Sequence, residues 1–347
     1  MRSVYGWGGP CPPGEPPCPR TSNWRFIGVG RIAQTHLKNL KTIGGNEIAG
    51  ACDFVKEAAE KTVAEFGGRA FTDAPAMLDA VKPDALVICT PPFARRDPIT
   101  LACERGLPFF CEKPPAFALD DGLAIRALVE KARVPHTVGF MYRHLKIVER
   151  AREILAGETV VAVRSTFCNA PLLKPDFPAW FKLQEKSGGP IVDQALHVFD
   201  LLRYLLGDVN EVFAYGSNRV TTRGPEVTIF DTFNVTLRFA CGADATHNHS
   251  WASLANEILI DFLLKDGHLV LDLKNYELRG RLRKQELPVE KPGDNCYQTE
   301  MERFVEAVRT RDAAKLRSPY PDALKTLAVC VAANASAAEG RPMKVEA

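Results

Sequence analysis

The sequence predicts a two-part α/β protein: a doubly wound, parallel-sheet domain over residues 23–143, then an α+β domain with a largely antiparallel sheet over 144–347. Three observations predict it. Short apolar strands alternate with helical stretches up to about Arg143. A glycine-rich turn sits at the first strand–helix junction. Beyond Arg143, strands follow one another across tight turns with few helices between them.

Residues 1–22 stand apart. They hold six prolines and four glycines with little periodic apolar pattern, which predicts a disordered or loosely draped segment. From Asn23 the elements run in order. Strand "WRFIG" enters helix "GVGRIAQTHLKNLKTI", and strand "EIAGACD" enters helix "VKEAAEKTVAEFG". After "AFTD", helix "APAMLDAV" leads to strand "DALVICT". Helix "DPITLACERG" leads to strand "PFFCEK", and helix "LDDGLAIRALVEKAR" to strand "PHTVGFM". Such alternation implies parallel strands with right-handed crossovers. The continuously apolar central strands suit a sheet covered on both faces.

The second part opens with helix "LKIVERAREILAG" and strand "TVVAVRSTFC". A proline-rich loop (170–180) and a helix over 190–206 follow, then strands "NEVFAYGS", "IFDTFNVTLRFA", "ADATHNHSW", "EILIDFLL", "HLVLDL" and "NYELRG". One hairpin turn is expected at Cys241–Gly242 and another at Asp266–Gly267. Two terminal helices, about 298–310 and 320–339, are free to pack back on the first domain.

At 347 residues the chain exceeds what one core normally supports. Net charge is +2 and no basic block occurs, so neither nucleic acid nor an anionic membrane is called for. No apolar run approaches the roughly 20 residues of a spanning helix. The ten cysteines are scattered without a CxxC pair, several of them inside apolar runs. This pattern reads as buried reduced thiols in a cytoplasmic protein, with no metal site.

"GVGRIA" sets Gly28, Gly30 and Ala33 in a G-x-G-x-x-A spacing between strand and helix. The first glycine permits the tight turn, the second lets a pyrophosphate approach the backbone, and the small third residue lets the helix pack closely. Arg31 and Ile32 open the helix, whose free N–H groups suit phosphate. Asp53 lies 23 residues past Gly30, at the end of the second strand. A carboxylate there accepts from ribose hydroxyls and repels a 2′-phosphate, which favours NAD over NADP in a Rossmann domain, although Lys56 is near. The plain alternative is an aspartate capping the next helix.

Two further strand ends carry polar groups. Thr90 and Pro91 in "CTPPFARR" fall at a carboxyl edge, where open α/β sheets bind ligands; a proline-stiffened loop explains them equally well. In "FFCEKPP", Glu112 and Lys113 emerge at the same edge one strand later. Pro114 pushes Lys113 toward extended backbone, and Pro114 and Pro115 each fix φ. A long side chain thus hangs from a stiff base, although an isolated Glu–Lys pair also reads as a charged strand end.

After a glycine-fingerprint domain, "CEKP" resembles the signature of the Gfo/Idh/MocA oxidoreductases, a family that includes glucose-fructose oxidoreductase and inositol 2-dehydrogenase. The likeness runs from about Trp24 to the end and takes in "SGGPIVDQALHVFDLLRYLLG" (187–207) and the tail "YQTEMERFVEAV…SPYPDALKTLAV…GRPMKV". It implies a catalytic group of Lys113, Asp193 and His197. Gly188 and Gly189 break the chain, Pro190 suits a first helical position and Gly207 a stop. Asp193 and His197, at i and i+4, share one side of that helix near its positive end.

Alcohol oxidation by NAD requires a hydride acceptor and a group that takes the hydroxyl proton. His197, with an ordinary pKa of about 6.5, suits proton transfer. Lys113 can stabilise alkoxide character, and Asp193 can orient the imidazole. Tyr142, Arg143, Trp180, Lys182 and His197 are expected to line the substrate, with His247 and His249 as further candidates or ordinary sheet surface. Tyr297 reads as packing. Three departures from the family pattern bear on the substrate. Ala195 stands where the family often has glycine. Arg95 or Arg96 replaces a loop histidine. "FMYRHLKIV" lacks the usual proline.

The expected activity is an NAD(P)-dependent dehydrogenase acting on a sugar, inositol or related polyol. Alternatives from the same resemblance are a glycosidase using transient redox and a cofactor-responsive regulator; the retained Lys113, Asp193 and His197 argue against the regulator. The open face of the second sheet suggests a homo-oligomer.

Overall fold

The computed structural model describes residues 21–80 and 82–346. All but the last two residues of the proline-rich 1–22 segment lie outside them.

The first sheet has six parallel strands: β1 (Ser22–Ile27), β2 (Asn46–Cys52), β3 (Arg69–Phe71), β4 (Ala85–Ile88), β5 (Phe109–Cys111) and β6 (His136–Val138). Their order is β3-β2-β1-β4-β5-β6, with five helices in the crossovers: α1 (Arg31–Thr42), α2 (Lys56–Phe66), α3 (Ala74–Ala80), α4 (Arg96–Glu104) and α5 (Leu119–Ala132). Strand order reverses between β1 and β4, and a crevice opens there at the carboxyl ends of the strands. Gly28, Cys89–Thr90 and Glu112–Lys113 are the residues that leave those ends.

Side-chain alternation divides the sheet between two cores. Leu86 and Ile88 join one, with Phe109, Cys111, Ile99 and Ile125. Ala85 and Val87 join the other, with Trp24, Phe26, Leu37 and Leu40.

A buried turn (Met141–His144) leads into the second part: α6 (Lys146–Leu155), β7 (Val160–Cys168), the short α7 (Gln184–Ser187), α8 (Leu196–Leu206), β8 (Val209–Ser217), β9 (Thr232–Phe239), β10 (Asp244–Ser250), β11 (Glu257–Leu264), β12 (Gly267–Asp272), β13 (Glu277–Leu282), β14 (Gln285–Glu286), α9 (Cys296–Thr310), α10 (Tyr320–Glu339) and β15 (Met343–Lys344). Nine strands pair in the order β14-β13-β12-β11-β7-β10-β9-β8-β15, all antiparallel except β10 with β7. Phe233, Val235, Leu237 and Phe239 face inward, and Asn234, Thr236 and Arg238 face solvent.

α9 returns to the first sheet. Its Met301, Phe304, Val305 and Val308 complete the core beneath α1, with the Trp24 and Phe304 rings 5.6 Å apart. α10 packs on α5, α8 and β8 and so touches both parts.

Three local expectations are corrected. The strand expected through "PHTVGFM" stops at Val138, because Met141–His144 coil into a buried turn. The helix expected over 190–206 begins as one wide π-turn, Ile191–Ala195. The second hairpin turns one residue early: Leu264 already pairs with Gly267, so Lys265–Asp266 form the corner. The hairpin at Cys241–Gly242 is as expected, with Gly242 at φ +91°.

The eight described cysteines are all free, and five of them are buried. Among the described residues no helix is long and apolar enough to cross a membrane, and no group of three potential ligands is placed to hold a metal ion.

Candidate active site

The glycine turn is fixed by close approach. Gly28 has φ +82°, and a Cβ there would lie 2.8 Å from the backbone of Cys89 and Thr90. Only glycine lets the end of β1 lie against the end of β4. Around Gly30 a Cβ would meet open space, and no side chain caps α1. The first turn carries no acidic residue, so the N–H groups at Arg31 and Ile32 and the positive helix end face outward unopposed. This cradle fits a pyrophosphate.

Asp53 is held by two backbone donors. One carboxylate oxygen accepts from Val29 N–H at 2.9 Å, which braces the glycine turn, and the other accepts from Val55 N–H at 3.0 Å, at the start of α2. Each oxygen keeps a lone pair for a ribose hydroxyl. Lys56 is exposed and paired with Glu60 at 3.4 Å.

At the β4 edge, Thr90 Oγ1 is buried without a partner, an orphaned group where a ligand would satisfy it. Pro91 leads into a short turn (Pro92–Ala94). Arg95 does not take over from the family's loop histidine. It is 2% exposed and donates to the carbonyls of Thr90 and Pro114, so it staples two strand ends together. Arg96 pairs with Asp121 at 3.0 Å, away from the site.

Of Glu112, expected as a cofactor contact, only the backbone stays at the strand end. Its side chain turns inward, 2.7 Å from His36 Nε2, and its second oxygen accepts from Lys113 N–H at 3.0 Å. Lys113 projects the other way, across to the second part. Its Nζ donates to Asp193 O at 2.7 Å and to Asp193 Oδ1 at 3.1 Å. The Lys113–Pro114 peptide is cis.

Asp193 sits in the π-turn, a geometry frequent at functional sites. The turn is introduced by Gly188 and Gly189, at φ +72° and +74°. Its carboxylate faces the amine rather than the imidazole, contrary to the role expected for it. A cation within reach outbids a neutral ring for a carboxylate.

His197 follows at the start of α8, 7% exposed, with the Tyr142 ring 5.5 Å and the Phe140 ring 6.2 Å away. Its Nδ1 is buried without a partner. Burial, and then the charge of Lys113, hold its pKa well below the ordinary value, so the ring is neutral. Lys113 thus contacts Asp193 directly and lies near enough to His197 for its charge to act on the ring.

The other expected lining residues separate. Tyr142 is buried against His197, its hydroxyl pushed up by burial and then by Tyr276 and Cys296. Trp180, half-buried, stacks on Phe181 at 3.7 Å and meets the exposed Phe93 edge-on at 6.0 Å, which joins the two sides of the cleft. Lys182 ends the same short turn, its carbonyl accepting from Thr228 N–H at 2.9 Å.

Arg143 is a correction. It is 2% exposed, grips Asp200 through Nε and Nη2 at 2.7 and 2.5 Å, pairs with Asp322 at 2.7 Å and donates from Nη1 to the Arg317 carbonyl at 2.5 Å, so its guanidinium is committed to these partners rather than turned to substrate. His247 and His249 are not sheet surface. Both lie closed off in the core, against Phe199 and Phe167, and burial lowers the His247 pKa to about 3. His36 was missed; the one available signal was a histidine on the apolar face of the helix after the glycine turn. Tyr297 packs on His36, ring centres 6.0 Å apart.

Comparison with known proteins gives the family and the fold. Residues 22–140 match the model of an oxidoreductase family with an NAD-binding Rossmann fold, and residues 148–270 match the GFO/IDH/MocA C-terminal domain. The uncharacterized oxidoreductase YrbE of Bacillus subtilis is 25% identical over 92% of this chain and 96% of its own. An NAD(+) scyllo-inositol 2-dehydrogenase of the same organism is 32% identical over 55% of this chain and 56% of its own. Matches to several named dehydrogenases likewise span only about half of those proteins. An oxidoreductase domain protein from Kribbella flavida superimposes with a TM-score of 0.86 at 21% identity, covering 94% of this chain and 100% of that one. The chain thus belongs to the Gfo/Idh/MocA family of oxidoreductases, whose first domain is an NAD-binding Rossmann fold.

Proposed function

We propose that the protein is an NAD-dependent dehydrogenase that oxidises one hydroxyl of a sugar, inositol or related polyol, or reduces the matching ketone. The observation that supports this is the contact of Lys113 with Asp193 across 80 positions of the chain, with a neutral buried His197 within reach of the lysine's charge.

Gly28, Gly30, Arg31 and Ile32 would hold the dinucleotide phosphates, Asp53 the ribose, and Thr90, Pro91 and the backbone of Glu112–Lys113 the nicotinamide side. What NAD supplies when bound is acceptance of the hydride from the carbinol carbon. The neutral imidazole of His197 is the form that takes the hydroxyl proton, and such a base contributes about 10²–10⁴-fold. The Lys113 ammonium stabilises the oxygen as negative charge develops on it. Asp193 balances that ammonium and aims it. Tyr142, Trp180 and Lys182 line the approach.

On this reading residues 23–143 form the cofactor domain and 144–347 the substrate domain, with α9 packed back across the boundary. We place the protein in the cytoplasm, as its free cysteines suggest. We also assign it a homo-oligomeric state through the polar outer face of the second sheet, where Asn234, Thr236 and Arg238 are exposed.

The test is ultraviolet absorbance of NADH formed from NAD across a panel of inositols, aldoses and anhydrosugars. Steady NADH production with at least one is the expected result. Release of an aglycone from a glycoside panel without NADH accumulation would overturn it in favour of transient redox.

A further inference from the structure

We propose that His36 is a positioning residue for Lys113, acting through Glu112. This rests on the reading of Lys113 as part of the reacting group.

The Glu112 carboxylate has two occupied oxygens. Oε1 lies 2.7 Å from His36 Nε2, and Oε2 accepts the backbone N–H of Lys113 at 3.0 Å. His36 is fully buried and Glu112 is 5% exposed. One carboxylate therefore joins a side chain of α1 to the peptide from which the lysine springs. Burial alone would push Glu112 toward its neutral form; the bond from His36 and the charges of His36, Lys113 and Arg95 outweigh it and hold its pKa below the ordinary value. An ionised carboxylate only accepts hydrogen bonds, so Nε2 carries the proton.

The carboxylate has nowhere else to go. A Cβ on Gly139 would lie 3.2 Å from Oε1, and the Phe110 ring stands 4.8 Å from the imidazole. Lys113 is long, and its contacts with Asp193 hold only its tip. Asp193 holds the tip, Pro114 restricts the backbone on one side of the root, and Glu112 holds the N–H on the other. Because α1 starts at Arg31, one rigid helix carries both the phosphate-facing N–H groups and the anchor of the lysine. The amine is thereby referenced to the cofactor cradle as well as to the second domain.

The test uses the full chain and three variants. His36→Leu keeps bulk without a donor, His36→Gln restores an N–H at the position of Nε2, and Glu112→Gln removes the charge. Thermal unfolding and NADH fluorescence titration establish that each is folded and binds cofactor. The readout is the rate of Lys113 acetylation by acetic anhydride, followed by mass spectrometry against exposed lysines such as Lys56.

His36→Leu should raise Lys113 labelling several-fold, and His36→Gln should return it to the wild-type rate. On any polyol turned over, His36→Leu should lower kcat with KM little changed. Unchanged labelling in folded His36→Leu, or failure of His36→Gln to restore it, overturns the proposal. If His36→Leu does not fold, Glu112→Gln decides: it should raise labelling, and an unchanged rate overturns the proposal. Full turnover by Lys113→Met would sink the catalytic reading of the lysine and leave the labelling result standing.

Discussion

Lys113 and Asp193 are 80 positions apart in the chain and in contact in the fold, at 2.7 and 3.1 Å. Their side chains are about one-fifth exposed, so the pair is partly screened and adds little to stability, while the proposed chemistry depends on it. Lys113→Met should therefore leave the melting temperature nearly unchanged. It should cut kcat by about 10²–10⁴-fold with NADH affinity preserved, read by steady-state kinetics and fluorescence titration. A loss confined to KM would contradict that role. The types and spacing of Lys113, Asp193 and His197 could be read from the chain. The direction of Asp193 could not, because a carboxylate between an ammonium and an imidazole is claimed by whichever the fold brings nearer. Arg143 shows the same limit: only the fold reveals that Asp200, Asp322 and the Arg317 carbonyl hold its guanidinium.

Between strand and helix, backbone geometry carries the information. Gly188 introduces the π-turn at φ +72°, and a Cβ there would lie 2.7 Å from the Val192 side chain inside that turn. Gly188→Ala should destabilise by about 1–3 kcal/mol through left-handed strain. It should also lower kcat, since the turn that carries Asp193 must shift. Chemical denaturation and kinetics on one preparation check both. Strong alternation made the strands legible, β9 above all, where inward Phe233, Val235, Leu237 and Phe239 are interleaved with exposed residues. The π-turn is illegible because "GPIVDQALHV" satisfies an ordinary helical period, and nothing in that pattern marks the wider turn at Ile191–Ala195. The one parallel pair, β10 with β7, also escaped, because strand order across 80 residues leaves no local trace.

At the level of the whole molecule the two sheets are not independent. One apolar cluster runs from Ile99 and Phe109 of the first part to Phe233 and Leu271 of the second, and α9 and α10 tie both together. Unfolding should be one transition. Trp24, in β1, and Trp251, just beyond β10, are each fully buried, one in each part, and report it separately. Variants keeping only one of these two should melt together, and two separated midpoints would contradict the shared core. Acid should weaken this unit early. His144, His197, His247 and His249 are all held neutral by burial, so below about pH 6.5 the unfolded chain binds protons that the folded one refuses. Their contribution is full above that pH and is lost as pH falls toward their folded values. Each histidine can cost up to about 1.4 kcal/mol per pH unit there. Buried Glu300, its pKa raised by burial and then by Glu112 and Asp200, opposes them over the same range but is outnumbered. The melting temperature should fall steadily from about pH 6.5 to 4.5 in a pH series of thermal scans, and a flat profile would contradict neutral burial of these rings.

The arrangement of α9 also sets an order of events during synthesis. Trp24, Phe26 and Leu37 leave the ribosome early, yet Met301, Phe304 and Val305, which close that layer, are translated some 260 residues later. Until then that apolar face of the first sheet has no cover, so its layer can close only once α9 has been made.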